Sequence, residues 1–463
     1  MERSVLVKGA FPGPKTQKIL QELKKYESRG EIYFNNYEIP PVISEAKGVY
    51  VKDVDGNVYL DLTSGFAALN VGHCHPKLIE AAINQMKKVH HTAMLPVEDR
   101  AKLVEKLSQI APGSLKGNCK VQLDVSGTNA IEIAIKLAKL YTKRPIIISF
   151  YGAYHGRSFG TLAVTSDAFW RAGVYPIMPG GVQVPYPYCY RCYFGLEYPN
   201  CELRCLKFLE RILTDPKCGL RNEKRDANLV AAILMEPSQG ASGYVIPPDE
   251  FWPGIRELCD KYDILLIDDE IQMGWGRSGK MFAIENWGVT PDIMVVGKSM
   301  SGGVIPVAAT IARTEIMDVF QPNHQSVTFG GTPVACAVSS TMIDLLEEEK
   351  LADRAEKLGK YFLEELKNLQ TYHPLIGHVE GKGLMIGMEF VRDRKTKEPA
   401  SNETKMIIRE AIKRGLILTI SGYYGNRINI VAPLIIEKDE IDKAIEILDE
   451  TINVAEKKIF KGG

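Results

Sequence analysis

Short runs of valine, isoleucine and leucine alternate with helical patterns through the middle of the chain. Within the runs, apolar and polar residues do not alternate, which is typical of strands buried on both faces of a sheet. Between the runs, apolar residues recur at helical spacing, most clearly after Gly127. This pattern predicts right-handed βαβ units and a mostly parallel sheet. The predicted strands are Val121–Asp124, Ile146–Phe150, Leu229–Met235, Ile264–Ile267, Ile293–Val296 and Val304–Ile311.

The two ends of the chain have a different pattern, in which long amphipathic helices are mixed with a few strands. The predicted elements there are helices Val334–Glu349, Leu351–Leu369 and Glu437–Val454 and strands Met385–Val391 and Ile428–Val431. We therefore expect an α/β protein with a large domain over residues 76–330. Residues 1–75 and 331–463 should together form a smaller α+β domain. Residues 179–228, rich in Pro, Tyr, Cys and charge, are expected to be a surface insertion in the large domain.

Composition and charge exclude several classes of protein. The chain has 463 residues with 57 basic and 57 acidic side chains. Without a basic excess, it has no electrostatic basis for binding nucleic acid or an anionic membrane. Its longest apolar runs have about five to eight residues, whereas a membrane span needs roughly twenty. The first residues, Met1 to Gly9, show no apolar segment typical of an export signal. These features predict a soluble cytoplasmic protein.

Four of the nine cysteines fall in one short segment, at Cys189, Cys192, Cys201 and Cys205. A C-x2-C pair followed by a C-x3-C pair could hold zinc or an iron–sulfur cluster. Disulfides, which occur inside the cells of some hyperthermophiles, or free buried thiols are the favoured alternatives. We assign no metal to this segment, and no function is based on it.

Small residues follow the strand predicted at Val121–Asp124. Ser126, Gly127 and Thr128 open a helix, where backbone N–H groups can approach a phosphate. An ordinary capped helix start would have the same sequence. The segment has neither a G-x-G-x-x-G pattern nor a Walker lysine, so a dinucleotide fold or an NTPase is disfavoured.

Other polar residues follow the next strands, at the edge of the sheet where ligands bind in open α/β folds. Tyr154, His155 and Arg157 lie on a glycine-flanked loop suited to ring stacking and carboxylate binding, although an ordinary turn would also fit.

Adjacent carboxylates follow Ile264–Ile267, and a lysine follows Ile293–Val296. Asp268, Asp269 and Glu270 would be costly to bury unless they meet a cation or a metal, although a solvated strand end would also fit. Lys298 leaves a buried strand, and desolvation there lowers a lysine pKa and favours imine formation. A phosphate cradle, a stacking aromatic, a carboxylate and an imine-forming lysine are together what pyridoxal phosphate requires.

With this set of residues, the chain resembles the class III (ornithine/GABA-type) aminotransferase family, whose members are pyridoxal-phosphate enzymes of fold type I. The resemblance spans nearly the whole chain and depends on the order of its segments. These are Gly72–Pro76, Ser126–Thr128, Tyr154–Arg157, Glu236–Gly240, Asp269–Gln272, Gly297–Lys298 and Thr328–Gly331.

The resemblance implies a role in holding pyridoxal 5'-phosphate for each matching residue. Lys298 would form the imine with the cofactor and later move the Cα proton. Asp269 would pair with the pyridine nitrogen, Gln272 would hydrogen-bond the 3-oxygen and Tyr154 would stack on the ring. The residues implied for the cofactor site are Ser126, Gly127, Thr128, Tyr154, His155, Glu236, Asp269, Gln272, Lys298 and Thr328.

Thr328 has a further implication, because in the family this residue reaches the cofactor phosphate of the neighbouring subunit. A homodimer or a dimer of dimers is therefore expected, with sites shared between subunits.

The chain departs from the family where aminotransferases alternate between two substrates. A glutamate normally follows the Pro-x-Gln-Gly segment, but this chain has Ala241 there. An arginine normally precedes the segment that is here Ala432-Pro433-Leu434, and that position is Asn429. Both halves of the glutamate–arginine switch are thus expected to be absent. Arg427, two residues away on the same strand face, is the candidate substitute.

The substrate pocket is predicted from four positions. Tyr37 and Arg157 match the family's carboxylate-contacting positions, whereas Phe66 replaces the tyrosine of ornithine-specific members. With Ala241, the pocket is expected to be apolar and uncharged on one side. A buried polar group without a partner costs roughly 1–3 kcal/mol, so this pocket should disfavour diamines and diacids.

Some members of the family are amino-acid racemases or 2-epimerases, and we expect the same reaction here. The enzyme would remove and return the Cα proton of neutral, largely apolar amino acids through a quinonoid, which requires no second carboxylate site. The acid on the opposite face is not identified. The alternative is a class III ω-aminotransferase that transfers an amino group to a 2-oxoacid and uses Arg427 or Arg157 for both carboxylates.

Overall fold

The computed structural model describes residues 4–7, 11–31, 39–93, 95–222 and 227–460. The chain divides into two compact units. The first combines Met1–Pro76 with Leu351–Gly463, and the second is Lys77–Lys350.

The strands, in chain order, are β1 Ile43–Lys47, β2 Tyr50–Asp53, β3 Val58–Asp61, β4 Cys119–Asp124, β5 Ile146–Phe150, β6 Gly181–Val184, β7 Arg221–Asn222, β8 Ala227–Asn228, β9 Val230–Met235, β10 Leu265–Asp269, β11 Ile293–Val296, β12 Ala308–Arg313, β13 Ile376–Gly381, β14 Ile386–Asp393, β15 Glu398–Pro399, β16 Leu416–Ile417, β17 Thr419–Ser421 and β18 Arg427–Ile430.

The α-helices are Pro14–Tyr26, Ser64–Ala67, Pro76–Lys88, Glu98–Ile110, Gly127–Thr142, Phe159–Leu162, Ala168–Arg171, Arg204–Thr214, Phe251–Lys261, Thr314–Met317, Pro333–Glu348, Leu351–Tyr372, Ser401–Lys413 and Lys438–Phe460. Short 3₁₀ helices lie at Gly113–Leu115, Cys189–Arg191, Ala283–Trp287 and Lys298–Ser301. No helix within the described ranges is long and apolar enough to span a bilayer.

The second unit is built on a seven-stranded sheet in the order β4-β12-β11-β10-β9-β5-β6. Strands β6, β5, β9, β10 and β11 run parallel to one another, and β12 runs antiparallel to both of its neighbours. The predicted α/β fold with a mostly parallel sheet is therefore confirmed. Helix Gly127–Thr142 packs on this sheet through a stripe of buried residues at helical spacing, namely Ala130, Ile131, Ala134, Leu137 and Ala138.

One strand of this sheet begins later than its sequence pattern predicts. The apolar run starts at Val304, but β12 starts at Ala308. Pro306 has no N–H group to donate to a sheet ladder, so the ladder forms only after it. The segment 302–307 instead connects the 3₁₀ helix Lys298–Ser301 to the strand.

The first unit contains a mixed sheet in the order β1-β2-β3-β16 and an antiparallel sheet in the order β13-β14-β18-β17, with β15 paired to β14. Strand β16 pairs in parallel with β3, so the two ends of the chain form one sheet. The long helices Leu351–Tyr372 and Lys438–Phe460 contact each other in this unit. The α+β character expected for the chain ends therefore arises from strands and helices far apart in sequence.

The boundary between the units differs from the predicted one by a single helix. We expected the smaller domain to resume at residue 331, but helix Pro333–Glu348 clusters with the second unit. It packs against helix Glu98–Ile110 and the 3₁₀ helix Lys298–Ser301, and its Val334, Val338 and Met342 are fully buried. Amphipathic spacing shows that a helix must bury one face, but not which domain covers that face.

The segment expected as a surface insertion, residues 179–228, begins inside the sheet. Its first part forms β6, which pairs with β5 and extends the parallel sheet. The rest carries the 3₁₀ helix Cys189–Arg191 and helix Arg204–Thr214. The nine cysteines, all of them within the described residues, form no disulfide bonds. In the part of the chain that the structure describes, no group of three or more His, Cys, Asp or Glu side chains is arranged to hold a metal.

Candidate active site

The polar residues predicted after each strand meet at one cavity in the second unit. The strands β5, β9, β10 and β11 lie side by side and parallel, so their carboxyl ends share one edge of the sheet. A cavity of about 200 Å³ lies at this edge. It is lined by Gly127, Thr128, Tyr154, His155, Gly156, Glu236, Asp269, Ile271, Gln272 and Lys298.

The start of helix Gly127–Thr142 forms one wall of the cavity and is suited to an anion. Ser126 caps the helix, with its hydroxyl accepting the N–H of Asn129 at 3.2 Å. The N–H groups of Gly127 and Thr128 donate to no other group among the described residues. Free N–H groups in the first turn, together with the helix dipole, favour a phosphate.

Glycine is required at two positions beside these donors. A Cβ atom on Gly127 would lie 2.8 Å from Cδ1 of Ile271, and one on Gly156 would lie 2.7 Å from Oγ1 of Thr128. Gly156 also has a φ of +123°, a conformation that L-residues with side chains rarely adopt. The packing at these two sites therefore explains why the loop and the helix start carry glycine.

Asp269 is buried at the end of β10 and is held by two partners. Its Oδ2 lies 2.7 Å from Nδ1 of His155, and its Oδ1 accepts the N–H of Ile271 at 3.1 Å. His155 is itself fixed, because its backbone N–H donates to Oγ1 of Thr165. A buried carboxylate oriented in this way can accept a hydrogen bond from a protonated ring nitrogen in the cavity.

Glu236 follows β9 and links two loops of the site. Its Oε1 accepts the N–H of Tyr154 and its Oε2 accepts the N–H of Gly240, both at 2.9 Å. Burial raises the pKa of this carboxyl to about 7, and the charge of Asp269 adds to the rise. A Cβ atom on Gly240 would lie 1.8 Å from Oε1 of Gln272, so Gly240 leaves room for that amide. Glu236 thus acts in this structure as a support for the loops around the cavity.

Lys298 is the first residue after β11 and Gly297 and has a left-handed φ of +46°. Burial lowers the pKa of its ammonium group to about 8. The positive charge of Arg277 lowers this pKa further, whereas Asp269 and Glu236 raise it. A lysine that loses its proton near neutrality can act as a nucleophile and as a base. Backbone strain at such a residue is typical of a functional site.

The other two acids of this segment meet each other rather than a cation. Asp268 and Glu270 are fully buried on either side of Asp269. Burial raises the pKa of Asp268 well above its usual range, and the neighbouring Glu270 adds to this. Burial likewise raises the pKa of Glu270 to about 8. The solvated strand end that the sequence also allowed is therefore not what the structure shows, and protonation lowers the cost of burying these carboxyl groups.

Tyr154 lines the cavity, and Arg157 contacts the Tyr154 ring. The guanidinium carbon of Arg157 is 5.5 Å from the centroid of the half-buried Tyr154 ring. Arg157 is exposed and makes no hydrogen bond or ion pair with a described residue. Its N–H groups are therefore available to a carboxylate.

Other predicted site residues are not among those that line this cavity. In the second unit, Ala241 is half-buried after the Gly240 loop, and Thr328 is exposed in the loop before helix Pro333–Glu348. In the first unit, Phe66 has a φ of +59° in a left-handed turn and is partly exposed. Tyr37 lies outside the described residues.

Arg427, the candidate substitute for the missing arginine, is fully buried in the first unit. Its guanidinium contacts Oε1 of Glu380 at 2.9 Å and Oε2 of Glu389 at 3.3 Å. Burial tends to raise the pKa of Glu380, but Arg427 outweighs it and the net pKa is lowered. Asn429, on the same strand, accepts a hydrogen bond from the hydroxyl of Ser421. The prediction that Arg427 is available for a substrate carboxylate is therefore not supported.

Several residues of the site escaped the sequence analysis. Ile271 and Gly240 shape the cavity, Thr165 holds His155, and Arg277 influences Lys298. Ile271 and Gly240 lie inside the quoted motifs, so their position was a usable signal. Thr165 and Arg277 act through contacts between distant segments, and no local pattern marks them.

The residues around the cavity fit the group predicted from sequence. Free N–H donors at a helix start suit a phosphate, a buried carboxylate suits a pyridine nitrogen, and a lysine of lowered pKa suits an aldehyde. Gln272 and Tyr154 lie on the same cavity and leave its centre open.

Comparisons with known proteins agree with this geometry. The family model for class-III aminotransferases matches residues 33–452. The chain is 37% identical to a leucine/methionine racemase of Thermococcus litoralis, covering 89% of this chain and 90% of that protein. It is 36% identical to a 5-aminovalerate aminotransferase of Pseudomonas putida, covering 89% and 93%. A solved ornithine aminotransferase from Toxoplasma gondii with PLP at its active site has a TM-score of 0.81 and 27% identity, covering 96% of this chain and 95% of that one.

Proposed function

We propose that this chain, which belongs to the class-III aminotransferase family and depends on pyridoxal 5'-phosphate, is an amino-acid racemase or 2-epimerase. Its substrates would be neutral, largely apolar amino acids. Relatives of similar identity include both racemases and aminotransferases, so the proposal depends on the residues of this chain.

One observation carries the proposal: Arg427 is already neutralised by Glu380 and Glu389. An aminotransferase that uses glutamate or 2-oxoglutarate must bind a second carboxylate. Releasing Arg427 for that purpose would take the cation away from the fully buried Glu389, which is strongly unfavourable. Ala241 and Asn429 supply no alternative cation.

Arg157 is a second residue that supports the proposal. It is exposed, and its guanidinium forms no ion pair with a described acid. We assign it the α-carboxylate of a monocarboxylic substrate, which is the single anionic group that a racemase must hold. Ala241, in the same unit as Arg157, then suits an apolar side chain.

The reaction assigns one role to each residue at the cavity. When bound, the cofactor provides a ring that accepts the electron pair left by the broken Cα–H bond. Lys298 would hold the aldehyde carbon of the cofactor and, once the substrate displaces it, would take or return the Cα proton at Nζ on one face. Inversion would require a second proton donor on the opposite face. Asp269 keeps the pyridine nitrogen protonated, and His155 holds the Asp269 carboxylate in place.

The remaining cofactor contacts are assigned by position. Gly127 and Thr128 offer backbone N–H donors to the phosphate, and the Ser126 cap fixes their helix start. Tyr154 stacks on the ring, and Gln272 lies near its 3-oxygen. Glu236 supports the Tyr154 loop rather than contacting the substrate.

We further propose that the enzyme is a homodimer or a dimer of dimers in the cytoplasm. Thr328 is exposed in the single chain, which supports a role at the site of a neighbouring subunit.

A chirality assay distinguishes the proposal from aminotransfer. Purified holoenzyme is incubated with L-leucine, L-methionine or L-isoleucine, with and without a 2-oxoacid, and the products are separated by chiral chromatography. We expect D-leucine and D-methionine to accumulate towards equal amounts, and D-allo-isoleucine to form, without any 2-oxoacid. Lys298→Ala should abolish this conversion. No change of chirality, together with stoichiometric consumption of the 2-oxoacid, would favour the ω-aminotransferase instead.

A further inference from the structure

Arg157 is restrained by two aromatic rings. Its guanidinium carbon lies 5.5 Å from the centroid of Tyr154 and 5.1 Å from the centroid of Trp170. The two rings contact each other edge to face, with centroids 4.9 Å apart at an interplanar angle of 73°. Trp170, like Tyr154, is half-buried. The three side chains therefore form one cluster, in which each contacts the other two.

The nature of these contacts matters for ligand binding. A cation attracted by the face of an aromatic ring is restrained without using its N–H groups as hydrogen-bond donors. An ion pair with an acidic side chain would restrain Arg157 equally well but would occupy those donors. Because no described acid pairs with Arg157, the aromatic cluster orders the arginine and leaves it free to bind a carboxylate.

The position of Trp170 is itself fixed by its short helix, Ala168–Arg171. Asp167 caps the helix by accepting the N–H of Phe169 at 2.8 Å. At the other end, Arg171 donates to Oε1 of Gln183 at 2.6 Å, and Gln183 lies on the sheet strand β6. The helix is thus tied to the sheet on the side that carries the site.

Gln183 also links this helix to the cofactor side of the cavity. Its amide donates to the carbonyl oxygen of Thr165 at 3.1 Å. The hydroxyl of Thr165 in turn accepts the backbone N–H of His155 at 3.0 Å. The placement of Trp170 and the placement of the Asp269–His155 pair therefore share one anchor.

We propose that Trp170 is a positioning residue for substrate recognition, which holds Arg157 in the orientation that binds the α-carboxylate. The inference rests on the proposed role of Arg157, but not on whether the reaction is racemisation or aminotransfer. Trp170 is not itself part of the cavity lining and reaches the site only through Tyr154 and Arg157, so its effect should fall on binding rather than on the chemical step.

Direct binding tests this without turnover. The probe is 4-methylpentanoate, which is leucine without its amino group and cannot react. Its dissociation constant is measured for the holoenzyme from the change in cofactor absorbance. For Trp170→Leu we expect binding weakened about 3- to 30-fold, which corresponds to the loss of one cation–π contact. Trp170→Phe keeps an aromatic face and should recover most of the affinity. Phe169→Leu, on the same helix but 82% exposed, should leave the dissociation constant unchanged.

A double-variant comparison assigns the effect to Arg157. If Trp170 acts through the arginine, then Trp170→Leu should weaken binding no further in an Arg157→Gln background. The KM for L-leucine should rise in Trp170→Leu, while kcat changes less.

Two outcomes would overturn the inference. One is unchanged affinity for the probe in Trp170→Leu with the melting temperature retained. The other is an equal loss of affinity with and without Arg157. Both are independent of the chirality assay, because an aminotransferase would give the same binding results. Conversely, absence of D-amino acid with normal Trp170–Arg157 coupling would contradict the racemase proposal alone.

Discussion

Nδ1 of His155 lies 2.7 Å from Oδ2 of Asp269, and both side chains are buried beside the cavity. The two residues are 114 positions apart and come from the loop after β5 and the end of β10. The contact restrains the carboxylate that faces the cofactor, so the affinity for the cofactor should depend on the histidine.

His155→Leu should therefore weaken cofactor binding. A hydrogen bond to a charged group contributes about 1.5–3 kcal/mol, so its loss should raise the dissociation constant of pyridoxal 5'-phosphate about 10- to 100-fold. The constant can be measured by fluorescence titration of the apoenzyme. His90→Leu, which changes an exposed histidine of the same unit, is the control and should have no effect. Equal affinities for His155→Leu and wild type would show that Asp269 needs no support from the imidazole.

Lys298 should titrate well below an ordinary lysine. A lysine in water has a pKa of about 10.4, whereas burial lowers that of Lys298 to about 8. In the apoenzyme, competitive labelling with acetic anhydride at several pH values, followed by peptide mass spectrometry, should give half-maximal reactivity of Lys298 near pH 8. Proton transfer that uses the neutral amine should accordingly speed up as the pH rises through 8. Asp269→Asn removes a charge that raises this pKa, so Lys298 should become reactive at a still lower pH. A midpoint near 10 would contradict the assignment.

The pair of Asp268 and Glu270 should make the fold less stable as the pH rises. The pKa of Glu270 is raised by burial to about 8, so between its unfolded value and pH 8 the folded state holds a proton that the unfolded state has lost. The corresponding stability is complete below pH 4.5 and declines by up to about 1.4 kcal/mol per pH unit up to pH 8. Glu270→Gln cannot titrate and should show a shallower decline in urea unfolding of the apoenzyme. Glu257→Gln, at an exposed site, should retain the slope of the wild type. If stability declined with pH equally steeply in all three proteins, Glu270 would not be the group that holds the proton in the folded state.

Arg427 should matter for stability rather than for substrate choice. Arg427→Gln leaves Glu380 and the buried Glu389 without their cation, which should destabilise the fold by about 3–5 kcal/mol in urea unfolding. Lys360→Gln breaks an exposed pair with Glu356 and should cost less than about 1 kcal/mol. The dissociation constant of 4-methylpentanoate should be unaffected by Arg427→Gln. A stable variant that has lost the use of 2-oxoglutarate would instead identify Arg427 as a substrate residue and support the aminotransferase.

Subunit mixing can test whether Thr328 serves a neighbouring site. Thr328→Val should weaken cofactor binding if its hydroxyl contacts the phosphate. In a hybrid of Thr328→Val subunits with Lys298→Ala subunits, one site combines an intact Lys298 with an intact Thr328 from the other chain. Borohydride fixation should then label Lys298 at a cofactor concentration that leaves Thr328→Val alone unlabelled. No gain on mixing would place Thr328 at the site of its own chain.

The strands and the residues that follow them could be predicted because their signals are local. Runs of Val and Ile without alternation predict the first and last residues of β5 and β11 correctly. The order of the motifs identifies the family. The start of β12 was missed because a proline within the run blocks its ladder. The helix Pro333–Glu348 was assigned to the other domain because the burial of a face does not identify its partner.

Local signals in the sequence are enough to predict the kind of each element, the family, the cofactor and the residue types at the ends of the strands. The tertiary structure alone decided which charges meet. Arg427 faces Glu389 because β14 and β18 pair in one register. Glu380, on β13, is the second acid that contacts Arg427. Trp170 reaches Arg157 because a short helix is tied to β6, and the pKa values of Asp268 and Glu270 are raised because both carboxyl groups are buried. The spacing of side chains along a strand follows from its geometry, but the partner across space depends on strand order and register, which many distant contacts fix together.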